Sequence, residues 1–394
     1  MFEGLDISMA SALSSDARDL SFPRCQGTFM PAGAWNSALR GFGSRGLGME
    51  GPGPGEVLRA VLKARRELGL RTRVRPRIRA LYYDEEGDFL LVVVPDRPDK
   101  SAILGPGGRV LKAVRAELGL SGMAVRSHTD LMVKKARVRE ALGKVIKMAR
   151  KADGLLREGL ERIIELLRAE LRYPPRKWPS FEPLDGPFMA VGFSGGVDST
   201  ALLYVAREVG LKPVAVTVDA GGWMIPEEVR GWMEAVVARL GVEHVWLRGD
   251  EEVFGAVLEY ARSGRRHPCK MCHEEIEREV LSAAVEMGLP AVAFGDLLPT
   301  GRFSAYWLRI KGRRLARLNL LASLALFKTD TILMSKMAGR PFRGLYFGCP
   351  LLKVVHREYK YMRLPSIQRV LREARAGILE PNQALDLIKS IIGR

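Results

Sequence analysis

Long apolar runs and cysteines are both scarce in this 394-residue sequence. No stretch approaches the ~18 uninterrupted apolar residues that a membrane-spanning helix needs, so a membrane protein is not expected. Four cysteines are too few for a disulfide framework, which argues against a small secreted disulfide scaffold. The N-terminus also lacks the basic-then-apolar pattern of a secretion signal. A cytoplasmic protein is therefore the default expectation.

Acidic residues and side-chain amides are also few. The chain has 45 Asp and Glu against 62 Lys and Arg, a formal net charge of +17. Such an excess favours a polyanionic partner, although a highly charged surface without such a partner would give the same composition. There are only three Asn and three Gln. Scarcity of these thermolabile amides is typical of thermophile proteins.

Composition and periodicity divide the chain into six segments. The first, residues 1–54, is rich in Gly, Ser and Ala without a sustained period, and is expected to be a disordered tail or a mis-called start preceding Met49. The other five are expected to be a small α+β domain (55–129), a helical connector (130–172), a Pro-rich linker (173–187), an α/β domain (188–360) and C-terminal helices (361–394).

Short apolar runs alternate with helical patterns after the linker. Residues 188–193, 213–218, 243–247 and 291–294 are predicted strands, and helices are predicted between them. Strand, helix and strand at this spacing imply parallel pairing with right-handed crossovers, which is a doubly wound α/β sheet. In that architecture ligands bind at the carboxyl ends of the strands.

The loop after the first of these strands has the composition of a phosphate-binding loop. Its sequence is Ser194-Gly195-Gly196-Val197-Asp198-Ser199. The glycines allow close approach and let backbone N–H groups converge on an anion, and the loop opens a helix whose N-terminus favours negative charge. Asp198 suits a magnesium ion bound to the phosphates. The Walker A pattern is absent, which disfavours a kinase or GTPase.

This segment, residues 190–203, resembles the PP-loop family of ATP pyrophosphatases, whose pattern is Ser-Gly-Gly-x-Asp-Ser. The resemblance implies an adenine nucleotide alpha-hydrolase-like fold that binds ATP and Mg²⁺. Such enzymes cleave ATP between the α and β phosphates, adenylate a carbonyl oxygen or carboxylate, and let a nucleophile displace AMP. The resemblance gives Asp198 a catalytic role.

Two other strand ends also match this family. Val218 and Asp219 occupy the position where relatives hold the adenosine of ATP, and Gly295 and Asp296 follow the fourth strand. Many relatives carry Gly-His-Asn-x-x-Asp-Asp at this last position, and this chain departs from it, which leaves the subfamily open. The segment around Lys328 resembles the family too, with a phosphate contact and a solvated helix start as the two interpretations.

Three cysteines are spaced as metal or redox residues often are. Cys269 and Cys272 form a Cys-x-x-Cys pair at the start of a predicted helix, and Cys349 precedes a proline farther along. The helix N-terminus and the basic residues 265–267 predict lowered thiol pKa values. Metal ligands, persulfide chemistry and inert buried cysteines all remain open. Cys25 receives no role.

The same spacing resembles the tRNA 2-thiolation branch of the family. In that branch the three matching cysteines hold a [4Fe-4S] cluster with one iron open to carry sulfide. The resemblance implies metal-ligand roles for Cys269, Cys272 and Cys349, and catalytic roles for Cys269 and Cys349. Zinc with His267 or His273 as fourth ligand is the alternative. Expected partners are tRNA, sulfide or a sulfur-carrier protein, and a second copy of the chain in a homodimer.

A glycine-rich loop in the first domain points to RNA. The candidate contact residues are Gly105, Pro106, Gly107, Gly108 and Arg109. With the predicted order helix–strand–strand–helix–loop–helix–strand, this region resembles the KH domain, whose Gly-x-x-Gly loop clamps about four nucleotides. A tight turn between two helices is the alternative. Basic residues between 134 and 151 are expected to extend the positive surface, or to form a solvated helical face.

Together these patterns predict an ATP-dependent tRNA thiolation enzyme. The alternatives are a lysidine-synthase-type ligase or amidotransferase, a sulfur-insertion enzyme for a small molecule, and an RNA-binding module with a regulatory ATP site.

Overall fold

The computed structural model describes residues 51–72, 75–84, 88–174, 176–342 and 344–393. Most of the expected tail, including Cys25, lies outside these residues, and Pro54 already begins a helix. No helix in this described part of the chain is long and apolar enough to cross a membrane.

The N-terminal domain is a three-stranded sheet covered by three helices. The elements are α1 (Pro54–Glu67), β1 (Ala80–Asp84), β2 (Phe89–Val94), α2 (Arg97–Leu104), α3 (Arg109–Glu117) and β3 (Gly122–Ser127). Strand β2 is central, antiparallel to β1 and parallel to β3. Its inward residues pack with Val57 and Val61 of α1 and Val110 of α3.

The order of these elements is the one predicted, with one difference at the first strand. Strand β1 begins at Ala80 rather than near residue 74, because it pairs with β2, and β2 ends at Val94. The hairpin is therefore shorter than predicted and contains only residues that pair across the two strands.

Two long helices connect this domain to the second sheet. Helix α4 (His128–Ala149) follows β3 directly, and α5 (Gly154–Glu170) packs against it. Val138, Val145 and Leu160 are buried in the same core as the α/β sheet. The two helices thus form a layer on that sheet.

The α/β domain contains a six-stranded sheet. Its elements are β4 (Met189–Gly192), α6 (Val197–Glu208), β5 (Pro213–Asp219), α7 (Glu227–Leu240), β6 (Glu243–Arg248), α8 (Glu251–Ser263), α9 (Cys269–Glu286), β7 (Ala291–Ala293), β8 (Ala305–Ile310) and β9 (Arg313–Leu318). The strand order is β6-β5-β4-β7-β9-β8, parallel throughout except for the antiparallel pair β8–β9. The predicted doubly wound α/β fold is confirmed; the β8–β9 hairpin at its edge was not predicted.

The remaining helices follow the hairpin. They are α10 (Leu320–Ser323), α11 (Lys328–Met337), α12 (Pro350–Glu358), α13 (Arg363–Arg375) and α14 (Pro381–Ile392). Helix α11 packs beside α6, and α13 packs against α14.

The strand order creates a crevice at the end of β4. This first strand of the sheet lies in its middle, with β5 on one side and β7 on the other. The chain passes from β4 to β5 and β6 on one side, and then crosses to β7 on the other side. Ligands bind in the crevice at such a switch point. Ser194 lies just beyond the carboxyl end of β4.

A buried ion network joins the N-terminal domain to the α/β domain. Asp330, on α11, lies 3.2 Å from Arg176 and 3.7 Å from Arg126 of β3. Arg176 also pairs with Glu170, which pairs with Lys134 of α4 at 2.9 Å. Burial acts to raise the pKa of Asp330, but Arg176, Arg126 and Lys134 lower it to about 2. The carboxylate is therefore ionised wherever the protein is folded near neutral pH.

Replacing Asp330 with Ala should strongly destabilise the protein. Arg126 and Arg176 would stay buried without that carboxylate, and breaking a buried pair costs about 3–5 kcal/mol of unfolding free energy. Urea denaturation measures the loss. Asp386→Ala, at an exposed site on α14, is the matched control and should change stability by less than about 0.5 kcal/mol. Similar losses in the two variants would contradict the role of the network.

Candidate active site

The loop at the end of β4 is closed by hydroxyl groups. The backbone N–H of Ser194 lies 3.3 Å from the Oγ of Ser199, and the two hydroxyl oxygens are also 3.3 Å apart. Gly195 has a φ of +65°, and Gly196 caps α6, which begins at Val197. Backbone N–H groups at this helix start have no partner within the helix, so the loop is suited to bind an anion.

Glycines allow two close approaches around this loop. A Cβ on Gly195 would lie 2.7 Å from the Met233 side chain, and one on Gly295 would lie 2.8 Å from the backbone nitrogen of Ser199. The ends of β4 and β7 are thus in contact through Gly295. The structure brings this candidate residue directly against the phosphate loop.

Asp198 is held by two residues from α11. Lys328 Nζ lies 2.7 Å from Asp198 Oδ2, and the Thr331 hydroxyl donates to Oδ1 at 2.8 Å. Both carboxylate oxygens are therefore engaged. A Mg²⁺ ion on Asp198 would compete with Lys328 for this carboxylate, and a displaced ammonium group would remain beside the loop to contact a phosphate.

Arg340 is a residue of this site that the sequence analysis did not identify. Its Nε donates to the carbonyl of Gly195 at 2.8 Å, its guanidinium lies over the Trp232 ring at 5.4 Å, and it is buried. Burial lowers its pKa. Among the residues that the structure describes, no carboxylate lies within ion-pair distance of it. A buried cation without a carboxylate is costly, and a phosphate in the loop would compensate it.

The carboxylate of Asp219 forms a hydrogen bond and an ion pair with neighbouring groups. It accepts from the backbone N–H of Gly221 at 2.9 Å and pairs with Arg230. Burial acts to raise the pKa of Asp219, but these contacts lower it. Val218, before it, is buried in the sheet. The side chain of Asp219 therefore stabilises the loop after β5. Its backbone carbonyl accepts a hydrogen bond from the N–H of Gly249, which follows β6.

Asp296 lies at the end of β7 and faces Arg317 of β9. Arg317 Nη2 is 3.4 Å from Asp296, and Nη1 pairs with Glu277 of α9. The Nε of this buried arginine has no hydrogen-bond partner in the described residues. Arg317 thus connects Asp296, next to the phosphate loop, to the helix that begins with the cysteine pair.

The three cysteines lie at the starts of two helices. Cys269 is the first residue of α9, Cys272 follows one turn later, and Cys349 caps α12. All three are half-buried thiols. Burial, with the nearby thiol of Cys349, raises the pKa of Cys269 and of Cys272 to about 12. Cys269 and Cys349 pack against the same apolar cluster.

The prediction of lowered thiol pKa values is wrong. Cys269 and Cys349 pack with Leu352, Val355 and Met362, and this apolar environment outweighs the helix N-terminus and the nearby arginines. Cys269 and Cys272 are therefore protonated in the absence of a metal. Deprotonation requires a ligand that binds thiolate strongly.

The donor set fits a soft metal centre in its chemistry, with three sulfur atoms near two helix N-termini that favour negative charge. In the described parts of the chain, however, no group of three or more His, Cys, Asp or Glu side chains is arranged to hold a metal ion. His267, the suggested fourth zinc ligand, has its Nε2 3.2 Å from the Ser366 hydroxyl, which His356 also approaches at 2.9 Å. That contact weakens the zinc alternative.

The glycine-rich loop of the first domain is exposed at its tip. Gly105, Gly107 and Gly108 all have positive φ values, and a Cβ on Gly105 would lie 2.2 Å from the Val110 side chain. Pro106, Gly107 and Arg109 are exposed. Helix α14 lies beside this loop. The tip of the loop is therefore accessible to solvent, while α14 packs on one side of it.

One residue of the expected basic surface is not on the surface. Lys134 is buried and donates to the carbonyls of Leu324 and Ala325 as well as to Glu170. The apolar positions of α4 around Lys134 face the core, so the helix turns this residue inward. Arg139, Lys147 and Arg150 are exposed on the same helix.

Two solved structures share features of this fold at low similarity. One is the U34-tRNA thiolase NcsA from Methanococcus maripaludis with its [4Fe-4S] cluster (TM-score 0.36, 16% identity, 59% of this chain and 76% of that chain covered). The other is NMN synthetase from Francisella tularensis (TM-score 0.33, 14% identity, 62% and 94% covered). At these TM-scores neither supports an inference about activity.

Sequence comparison identifies a relative without an assigned function. No family model matches the chain. The uncharacterised protein MJ1638 of Methanocaldococcus jannaschii is 30% identical over 210 residues, which cover 53% of this chain and 76% of the relative. This chain therefore belongs to the same family as the M. jannaschii protein.

Proposed function

We propose that this protein is an ATP-dependent tRNA-modifying enzyme of the PP-loop type that adenylates a base carbonyl and inserts sulfur. The observation that carries the proposal is the placement of the Ser194–Ser199 loop at the switch point of the sheet. Lys328 and Arg340 both reach this loop from outside its own strand and helix.

The ATP half of the reaction is supported by charge. The N-terminus of α6, Lys328 and the buried Arg340 provide positive charge around the loop, while Asp198 provides a carboxylate for Mg²⁺. Cleavage between the α and β phosphates leaves pyrophosphate as the leaving group. Cations fixed beside pyrophosphate stabilise the charge that develops on it.

The sulfur half is supported by the three cysteines. They lie at the starts of α9 and α12, and α9 also carries Glu277, which pairs with the arginine that contacts Asp296. Helix α9 therefore carries the cysteine pair and also contacts the strand end beside the loop at 194–199.

The residues that would hold a [4Fe-4S] cluster are Cys269, Cys272 and Cys349. A cluster bound by three thiolates would supply an iron able to carry sulfide. The high thiol pKa values mean that binding must release the thiol protons, which makes cluster loading easier at higher pH.

RNA as the substrate is supported by the exposed glycine-rich loop and by the net charge of +17.

The proposed reaction consists of two substitutions. The carbonyl oxygen of the base attacks the α-phosphorus of ATP, and pyrophosphate leaves. Sulfide then attacks the same base carbon; AMP leaves with the former carbonyl oxygen, and a proton is released.

Anaerobic turnover with purified protein, an unmodified tRNA transcript, Mg-ATP and sulfide tests this proposal. We expect one AMP and one pyrophosphate for each thionucleoside found by mass spectrometry of the digested tRNA. ATP turnover that is indifferent to tRNA would contradict the proposal. A tRNA that gains no sulfur from sulfide but gains an amine when free lysine or ammonia replaces sulfide would also contradict the sulfur step and support a lysidine-type ligase.

A further inference from the structure

Two arginines lie side by side on the β8–β9 hairpin with no counter-charge. Arg309 of β8 is directly opposite Arg314 of β9 in the antiparallel register, and both are exposed. Neither forms an ion pair within the described part of the chain. Like charges directly opposite each other on a sheet are destabilising. The juxtaposition of Arg309 and Arg314 by itself therefore gives no gain in stability.

Protection of the sheet edge does not explain the pair either. Edge strands commonly carry a charged residue that prevents pairing with another chain, and Arg309 on the edge strand β8 would be enough. Arg314 is on β9, which pairs with β8 along its length but with β7 only at Ala316 and Arg317. Its neighbour Arg313 already places a charge on this strand, so edge protection does not require Arg314.

An aromatic ring orients one of these guanidinium groups. Trp307 precedes Arg309 on the same face, and the guanidinium carbon of Arg314 lies 3.6 Å from the centroid of its ring. Stacking occupies the planar face of the guanidinium and leaves its N–H edge open. That edge matches two oxygens of a phosphate, which a lysine could not contact in the same way.

The face that carries the arginine pair is also the face on which α4 packs. Trp307 packs against the core that contains Val138 and Val145 of α4, and α4 contacts β8. Helix α4 begins directly after the N-terminal domain and has exposed Arg139, Lys147 and Arg150. Arg139 and Arg150 are separated by about 17 Å along the helix axis, so exposed basic groups line the second half of α4 and its C-terminal end.

We propose that Arg309 and Arg314, oriented by Trp307, bind the phosphate backbone of RNA, as the far end of a track that runs along α4. The track shares its substrate class with the proposed function, but it binds RNA whether or not the RNA is then modified. It contacts phosphates and not bases, so it contributes affinity without sequence preference.

The test measures the affinity of the full chain for an unmodified tRNA transcript over a range of KCl concentrations, without ATP or sulfide. For Arg309→Gln/Arg314→Gln we expect a Kd about tenfold higher near physiological salt, and a log–log salt slope shallower by about 1.4–1.8, the value for two phosphate contacts. The melting temperature should stay the same or rise, because the like-charge pair is gone.

A second double variant in the same hairpin is the control. Lys311→Gln/Arg313→Gln removes the same formal charge, but Lys311 is bound to Glu286 and Arg313 donates to the carbonyl of Val285. It should change the Kd and the slope much less. Equal effects in the two variants, or a parental Kd and slope for Arg309→Gln/Arg314→Gln, would overturn the proposal. Because the assay contains no turnover, failure of the modification reaction leaves its result intact.

Discussion

Replacing any one of Cys269, Cys272 and Cys349 with Ala lowers thionucleoside formation at least about 100-fold, and replacing all three lowers it no further. The reason is that, under the proposed function, the three thiols hold one cluster and act as a unit. Net tRNA-dependent AMP release falls in parallel, since sulfur must displace AMP. Exchange of labelled pyrophosphate into ATP in the presence of tRNA persists, because the loop at 194–199 is unchanged.

The comparison that tests this result needs a cysteine outside the group. Cys25→Ala is the matched control and should retain parental activity. Mass spectrometry of nucleosides measures sulfur insertion, and pyrophosphate exchange measures adenylation. Full tRNA-dependent AMP release by the triple variant would eliminate the sulfur role and leave the ATP-dependent ligase alternative.

Replacing Lys328 with Met lowers ATP turnover by about 10²–10³-fold, the typical effect of removing one fixed charge-stabilising donor. The ammonium group of Lys328 is bound to Asp198 next to the loop. A bound phosphate can therefore replace Asp198 as its partner with little rearrangement. Lys336→Met, an exposed lysine on the same helix, is the control and should leave turnover near the parental value. Turnover is measured as pyrophosphate released per enzyme.

A purely structural role of Lys328 gives a different pattern. If the lysine only neutralised Asp198, Lys328→Met would lose turnover only as far as it loses thermal stability. A phosphate contact predicts a loss of turnover at temperatures where the variant is still fully folded. Parental turnover in Lys328→Met would show that the ammonium group takes no part in the reaction.

Local patterns were sufficient to predict the fold class. Buried parallel strands are continuous apolar runs such as residues 213–218, and the alternation of strand and helix permits few topologies. The loop after β4 was visible because Gly195 and Gly196 precede a helix start, which is a property of neighbouring residues. The exposed Gly105–Gly108 turn was visible for the same reason.

Local sequence patterns did not show which cysteine and lysine side chains are buried. The residues around Cys269 and Cys272 are basic in sequence, yet Cys269 packs against Leu352 and Val355 of a distant helix. Lys134 lies in a basic run, yet Glu170 and two backbone carbonyls bind it in the core. In both cases the environment is supplied by segments far away along the chain, and a charge count cannot show it.

The sequence by itself determined the strand–helix order, the loop at 194–199 and its position at a strand end. Only the tertiary structure decided which cations surround that loop. Lys328 and Arg340 reach Asp198 and Gly195 because α11 packs beside α6, and the order of β4, β5 and β7 placed the crevice between them. The physical reason is that glycine conformation and helix starts are local, while burial and charge compensation depend on long-range packing.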